Sequence, residues 1–244
     1  MTTAADQIDE PRADVGWIVS ATFGVLWLRA RDLTFVALIF VWLPTFLAEF
    51  LPAELATFRA MAGLPGLAFF GGGSLIAYQE MVGDKRVTAF DAMAVGLRQY
   101  FTLFMINAVS TLMALVGLIL LVVPGIFLLA AFMTATTASV AEAKGSTAAL
   151  ERAWNLSRGS RGRLAALLGI AIVTYVLLLL VGGMTGAALQ LVVGSDRAML
   201  VSQFAIAPII ATLLVGFTTV GAAAAYVNLR NLREGPIGVA DAFA

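Results

Sequence analysis

Between residues 140 and 164 the chain reads VAEAKGSTAALERAWNLSRGSRGRL, gathering Lys144, Arg152, Arg158, Arg161 and Arg163, five of its fifteen cations, into one short run. Those residue types at that spacing suit the holding of a phosphate. In Ser157-Arg158-Gly159-Ser160-Arg161-Gly162-Arg163 the interleaved glycines and serines let backbone N–H groups approach an anion as a nest. The run also opens an apolar helix, whose first amides and dipole favour negative charge at the same place. Each cation near an anionic leaflet contributes about 1 kcal/mol before screening, opposed here by Glu142 and Glu151. The expected ligand is an anionic phospholipid. The competing reading is topogenic: the arginines hold the start of the next span in the cytoplasm and do nothing more.

Other chemistry has little to work with. There is no histidine and no cysteine, which removes imidazole acid–base catalysis, thiol nucleophiles, Cys/His metal sites and disulfides. No catalytic constellation, metal cluster or cofactor motif stands out, so no enzymatic activity and no cofactor is expected. Fifteen cations against fifteen anions leave no net field for nucleic acid. Glu80 and Glu142 read as local caps or ion pairs, with Arg86, Lys144 or nearby helix amides, or as a proton site. Trp17, Trp27 and Trp154 read as interfacial anchors, their amphipathic rings set at headgroup depth.

The elements that position these groups follow from composition. The chain is 61% hydrophobic and 12% charged, with mean hydropathy +0.95, which makes lipid its solvent. A spanning helix needs about 20 apolar residues to cross a hydrocarbon core of about 30 Å. Six segments qualify: Leu33 to Leu51, Leu64 to Val82, Tyr100 to Val123, Ile126 to Ala141, Leu164 to Val193 and Phe204 to Leu229. Pro44 should kink the first. Pro124 and Gly125 are expected to form the tight turn between the third and fourth, the proline stopping one helix and the glycine allowing the reversal.

Cations resist translocation and stay cytoplasmic. With the N-terminus inside, thirteen of the fifteen fall on inner segments, leaving only Arg59 and Arg197 outside. The expectation is a multi-pass protein of the bacterial cytoplasmic (inner) membrane, N-in and C-in. Residues 1–14 read as a disordered cytoplasmic N-terminal tail and 234–244 as a cytoplasmic C-terminal tail, around a six-span domain over 15–233.

A repeat runs through the connections. Glu80 and Gly83, then Thr88 with Asp91, precede the third span; Glu142 and Gly145, then Ser146, precede the fifth. Each unit reads as helix exit, acid, glycine break and capped short helix, with Thr88 and Asp91 spaced as a capping box and Ser146 or Thr147 capping its counterpart. The stretch around Trp17 supplies a weaker third copy. The fold expected is therefore an all-α integral membrane protein of six transmembrane helices in three hairpins, each preceded by a cytoplasmic interfacial amphipathic helix, near 15–30, 88–99 and 147–158. Helices in lipid associate through small residues, and Gly71, Gly72 and Gly73, the pair Gly182 and Gly186, and Gly221 are the candidate contact points, with a hinge at the triple glycine as the alternative.

Pro124-Gly125-Ile126, then Glu142, Gly145, Ala149-Leu150, Trp154 and Gly159, and finally Tyr226, Leu229-Arg230 and Glu234-Gly235 resemble the membrane domain of the glycerophosphoryl diester phosphodiesterase membrane-domain family and related six-span bacterial proteins. The resemblance covers about residues 100 to 240. It implies no hydrolase activity, because the catalytic barrel fused to some members has no counterpart in these residues. The resulting expectation is a non-enzymatic scaffold or accessory protein that contacts anionic lipid and a protein partner or a second copy of itself. The alternative is a small transporter, channel or lipid-handling carrier, with Asn107, Ser110, Thr111, Thr134, Thr136, Thr137 and Gln190 lining a path rather than bonding helix to helix.

Overall fold

A computed structural model describes residues 13–57, 61–83 and 86–235. In chain order the helices are α1 (Val15–Leu28), α2 (Ala30–Ala37), α3 (Leu43–Glu49), α4 (Gly66–Val82), α5 (Ala89–Arg98), α6 (Tyr100–Leu120), α7 (Val122–Phe132), α8 (Ala135–Ala141), α9 (Ser146–Leu156), α10 (Arg161–Val193), α11 (Ser195–Val201) and α12 (Ala207–Glu234). No strand occurs among the described residues. Among the described residues six helical stretches are long and apolar enough to cross a membrane: Ala30–Ala48, Met61–Val82, Tyr100–Ile119, Val123–Ala141, Arg161–Val193 and Arg197–Glu234. The fifth has 33 residues, about 50 Å of helix at 1.5 Å per residue, well beyond one hydrocarbon thickness.

Pro44 does not snap its span. A π-helical turn, Leu38–Trp42, stands just before it, and Leu43 N–H donates to the Leu38 carbonyl, one residue further back than in an α-helix. The wider turn absorbs the hydrogen bond that proline cannot make. The same device recurs before Pro208, where Ser202–Ile206 is π-helical. The two bulged regions meet, with the Phe46 and Phe204 rings 5.3 Å apart.

The reversal between the third and fourth spans is displaced from the expected turn. Leu121 alone takes an extended conformation, and α7 already begins at Val122, so Pro124 and Gly125 lie inside its first turn. Proline is tolerated there because the first amides of a helix have no intrahelical acceptor. Gly125 instead allows close approach: a Cβ on it would lie 2.7 Å from the Leu118 backbone nitrogen, and one on Gly117 would lie 2.8 Å from the Gly125 Cα.

The helix α4 is the centre of the bundle, packed on α5, α6, α8 and α12. Its triple glycine is continuous helix, used for contact rather than bending. A Cβ at Gly72 would meet the Ala92 carbonyl oxygen at 2.7 Å, one at Gly71 the Gly96 Cα at 3.2 Å, and one at Gly73 the Thr219 methyl at 3.1 Å. Gly96 on α5 faces the Ala68 carbonyl in return. Gly182 and Gly186 face Ile210 and Ser202, and Gly221 is in ordinary contact with Thr22.

Thr88 and Asp91 form the capping box expected at α5. The second connection is built differently. Gly145 has φ −65 and no side chain caps α9, so neither Ser146 nor Thr147 plays the expected part. The left-handed residue is Ala143, φ 49, and Ser139 closes the turn by donating its hydroxyl to the Lys144 carbonyl at 2.8 Å. The first short helix differs too: α1 has no polar face, burying Ile18, Thr22 and Val25 while exposing Trp17, Phe23, Trp27 and Leu28. It runs antiparallel along α12, with Asp14 at Asn228, Thr22 at Gly221 and Leu26 at Gly216.

Because Gly72 and Gly96 meet backbone rather than flexible side chains, Gly72→Ala and Gly96→Ala should each destabilise the protein by about 1–3 kcal/mol through overpacking. Gly169→Ala, at a helical site with nothing within 4 Å of the added carbon, should leave the thermal unfolding midpoint in detergent unchanged or slightly raised. Equal midpoints for all three variants would contradict the packing described.

Candidate functional site

The charged side chains of the quoted run sort themselves by what lies next to them. Glu142 ends α8, and its carboxylate is fully occupied: Oε1 accepts from the Tyr226 hydroxyl at 2.5 Å and from Arg152 Nε at 2.9 Å, while Oε2 pairs with Lys144 Nζ at 2.5 Å. Arg152, on α9, reaches on to Glu234 at 2.5 Å. Glu234, at the end of α12, also takes Arg230 Nε at 3.3 Å, and Arg230 Nη1 donates to the Tyr78 hydroxyl of α4 at 2.8 Å. The chain of contacts, Tyr78, Arg230, Glu234, Arg152, Glu142, ties α4, α12, α9 and α8 together.

Burial raises the Glu142 pKa, but the hydrogen bonds from Lys144, Tyr226 and Arg152 outweigh it and hold the carboxyl below its ordinary value. Arg152 is the mirror case: burial lowers its pKa, and bonds to Glu234 and Glu142 overcome that and raise it. Both groups are held ionised. A carboxylate with every oxygen taken, facing three donors, is a structural clamp rather than a proton relay. No cluster of three or more Asp or Glu residues that would hold a metal occurs among the described residues.

Glu80, the equivalent acid of the other repeat, is clamped as well. Arg29, between α1 and α2, lies 3.0 Å from Glu80 and 2.9 Å from Asp32, and its third nitrogen donates to the Val87 carbonyl at 3.1 Å. The contact with Glu80 is an ion pair without hydrogen-bond alignment at Nε. Neither Arg86 nor a helix amide is its partner, as the sequence suggested; the partner comes from 51 residues earlier.

Of the five cations expected to meet phosphate, Lys144 and Arg152 are thus committed to carboxylates. Arg163 donates to the Ala13 carbonyl at 2.9 Å, and the Ala13 amide donates to the Ser160 hydroxyl at 3.1 Å. Arg233 Nη2 donates to the Arg158 carbonyl. Asp14 caps α1 through Trp17 N–H at 3.1 Å. Ala13 and Asp14 are therefore built into the structure, not part of a loose tail, and Glu234 likewise belongs to α12; residues 1–12 and 236–244 of the expected tails lie outside the described residues. Arg158 is exposed, and the Arg161 guanidinium carbon lies over the Trp154 ring, 3.6 Å from its centroid. Trp154 in turn stacks on Phe132 at 5.8 Å. Trp17 and Trp27 are 39% and 86% exposed, whereas Trp154 is held between a guanidinium and a phenyl ring.

Arg158, Arg161 and Arg163 have no carboxylate partner among the described residues. They surround Gly159, which ends the α9 segment at φ 76, and α10 starts at Arg161 with no side-chain cap. The serine hydroxyls of the loop are turned to the backbone, Ser157 to the Trp154 carbonyl at 3.0 Å and Ser160 to Ala13. What the segment presents is three cations and uncapped helix amides. Arg59 and Lys85, two more of the cations used to orient the chain, lie outside the described residues. Tyr78 has no role in the sequence, Tyr226 enters through the family resemblance, Arg230 through that and the count of inner cations, and Glu234 through the resemblance and as the start of the C-terminal tail; no local spacing reveals that they meet in one cluster with Glu142.

Comparison of the chain with protein-family models, with curated proteins and with solved structures finds no match.

The clamp makes a pH prediction. Because folding lowers the Glu142 pKa from about 4.5, its stabilisation is complete above that value and is lost as pH falls from there through the lower folded-state pKa. The thermal midpoint should be flat near neutrality and fall once pH drops below about 4.5. Glu142→Gln should cost about 1–3 kcal/mol at neutral pH by leaving charged donors under-satisfied, and its acid slope should be shallower than that of the parent. A parallel slope in both proteins would remove Glu142 from this role.

Proposed function

We propose that this chain is a non-enzymatic scaffold or accessory protein of the bacterial cytoplasmic membrane that holds anionic phospholipid through Arg158, Arg161 and Arg163. One observation carries the reading: Glu142 and Glu234 are taken up by Lys144, Arg152 and Arg230, and among the described residues no carboxylate pairs with the three arginines around an uncapped helix start. A dianionic or monoanionic headgroup supplies the missing charge. Trp154 positions the Arg161 guanidinium from beneath, and the Ala13 carbonyl and Arg233 hold the loop from the other side.

The finer membrane arrangement belongs to the same proposal. With the arginine segment at the cytoplasmic surface, the termini are inside and the six spans form three hairpins, α5 and α9 lying in the interface ahead of the second and third. Support comes from α5, which buries Ala92 and Gly96 against α4 while exposing Phe90 and Leu97, and from the close pairing of α6 with α7 at Gly117 and Gly125. Kinship with the phosphodiesterase membrane-domain family is proposed on related grounds. Glu142, Tyr226, Arg230 and Glu234, residues that carry the resemblance from distant stretches, meet in one cluster. A protein partner or a second copy would be met from the same cytoplasmic face.

Native mass spectrometry of the protein with bound phosphatidylglycerol or cardiolipin tests the lipid site. Replacing Arg158, Arg161 and Arg163 together by glutamine should reduce retention by about tenfold or more, given about 1 kcal/mol per cation before screening. Lys144→Gln, which removes a cation already paired with Glu142, should change retention little. Undiminished retention in the triple variant would leave these arginines a purely topogenic role.

A further inference from the structure

A second site lies inside the bundle. Between α1, α4, α6, α7, α10 and α12 there is a cavity of about 240 Å³, roughly the liquid volume of eight waters. Its inner end is lined by Thr22, Ser74 and Thr219, each 1% exposed. Its outer end includes Thr111 and Thr218, which are exposed. Those two threonines sit near the middles of the spans Tyr100–Ile119 and Arg197–Glu234. The mouth is therefore at mid-depth of a membrane-spanning bundle, where the surrounding medium is hydrocarbon and not water.

The lining selects the occupant. None of the residues around the cavity is charged, so a charged ligand would lose its hydration and gain no counter-ion. Polar groups are nonetheless plentiful, and not all are used internally. Thr22 and Thr218 donate to the Ile18 and Leu214 carbonyls at 2.7 and 2.9 Å, and Asn107 Nδ2 donates to the Leu103 carbonyl at 3.0 Å. Ser110 Oγ and Thr219 Oγ1 are buried with no hydrogen-bond partner, a costly state for a hydroxyl unless something else completes it. Phe70, Phe132, Leu167 and Phe217 supply an apolar wall beside this polar band.

We infer that the cavity binds a neutral lipid, its hydroxyl or ester head seated among Ser74, Asn107, Ser110 and Thr219 and its hydrocarbon tail leaving past Thr111 and Thr218. The volume accommodates a head and its first methylenes but not whole acyl chains, which is consistent with a mouth opening to the bilayer. The inference rests on the chain spanning the membrane and is independent of the anionic-lipid site.

The full-length protein in liposomes, irradiated with a diazirine-bearing diacylglycerol or a diazirine-bearing phosphatidylglycerol, provides the test, with labelled peptides located by mass spectrometry. Diacylglycerol should label peptides covering 106–111 and 217–222, and unlabelled diacylglycerol should compete while glycerol should not. Ala171→Phe, which fills the cavity from α10, should abolish that labelling. Ser110→Ala, a change too small to disturb packing, should reduce it about fivefold through loss of one hydrogen bond. The triple arginine variant should lose phosphatidylglycerol retention without altering diacylglycerol labelling, so the two sites fail separately. Equal labelling of these peptides by phosphatidylglycerol, competition by glycerol, or labelling that survives both Ala171→Phe and Ser110→Ala would overturn the assignment.

Discussion

Arg152 stands between Glu142 and Glu234, and its ion pairs do more than join three helices. A guanidinium between two carboxylates is stable near a membrane because each charge finds a counter-charge and a hydrogen bond, whereas either partner alone would be left desolvated. Once Arg152 and Lys144 are consumed on Glu142, and Arg230 shares Glu234, the electrostatics of the surrounding segment are settled by subtraction. Arg158, Arg161 and Arg163 remain without a carboxylate partner among the described residues. The clamp therefore both closes this end of the bundle and separates the paired charges of the segment from the unpaired ones.

Below that end, backbone proximity takes over. Helices in hydrocarbon gain nothing from hiding apolar surface from each other, so their association depends on contact distance. Gly71, Gly72 and Gly96 bring α4 and α5 together until carbonyl groups occupy the space of a Cβ. Gly117 and Gly125 do the same for α6 and α7. Polar groups in the bundle divide in two: Thr22, Thr45 and Thr185 are satisfied by a carbonyl one turn back, whereas Ser110 and Thr219 have no partner and line the cavity.

Local features were legible in the sequence in proportion to how few residues they involve. Thr88 and Asp91 form their capping box because both partners lie within one turn. Pro44 announced a distortion, although its form, a π-turn upstream, depends on how the preceding helix redistributes a missing hydrogen bond. A glycine or proline marks a position where the backbone has unusual freedom or constraint, but a helix that gains from packing, as α7 does against Gly117, carries Pro124-Gly125 inside. Gly145 stands instead at the N-cap of α9 with φ −65, a conformation open to any residue. The left-handed turn then falls on a residue with no sequence signature, Ala143.

Hydropathy alone determined that the chain is helical with six stretches long enough to cross a membrane, because apolar length is a one-dimensional property and the number and order of spans follow from it. The clustering of cations before the fifth span was equally visible. Which of those cations are neutralised was not, since Glu142 meets Tyr226 across 84 positions and Arg152 meets Glu234 across 82. Nor was the cavity, whose hydroxyls come from five helices. Both are properties of relative placement, and only packing in three dimensions brings such distant residues within the few ångströms over which charge and hydrogen bonding act.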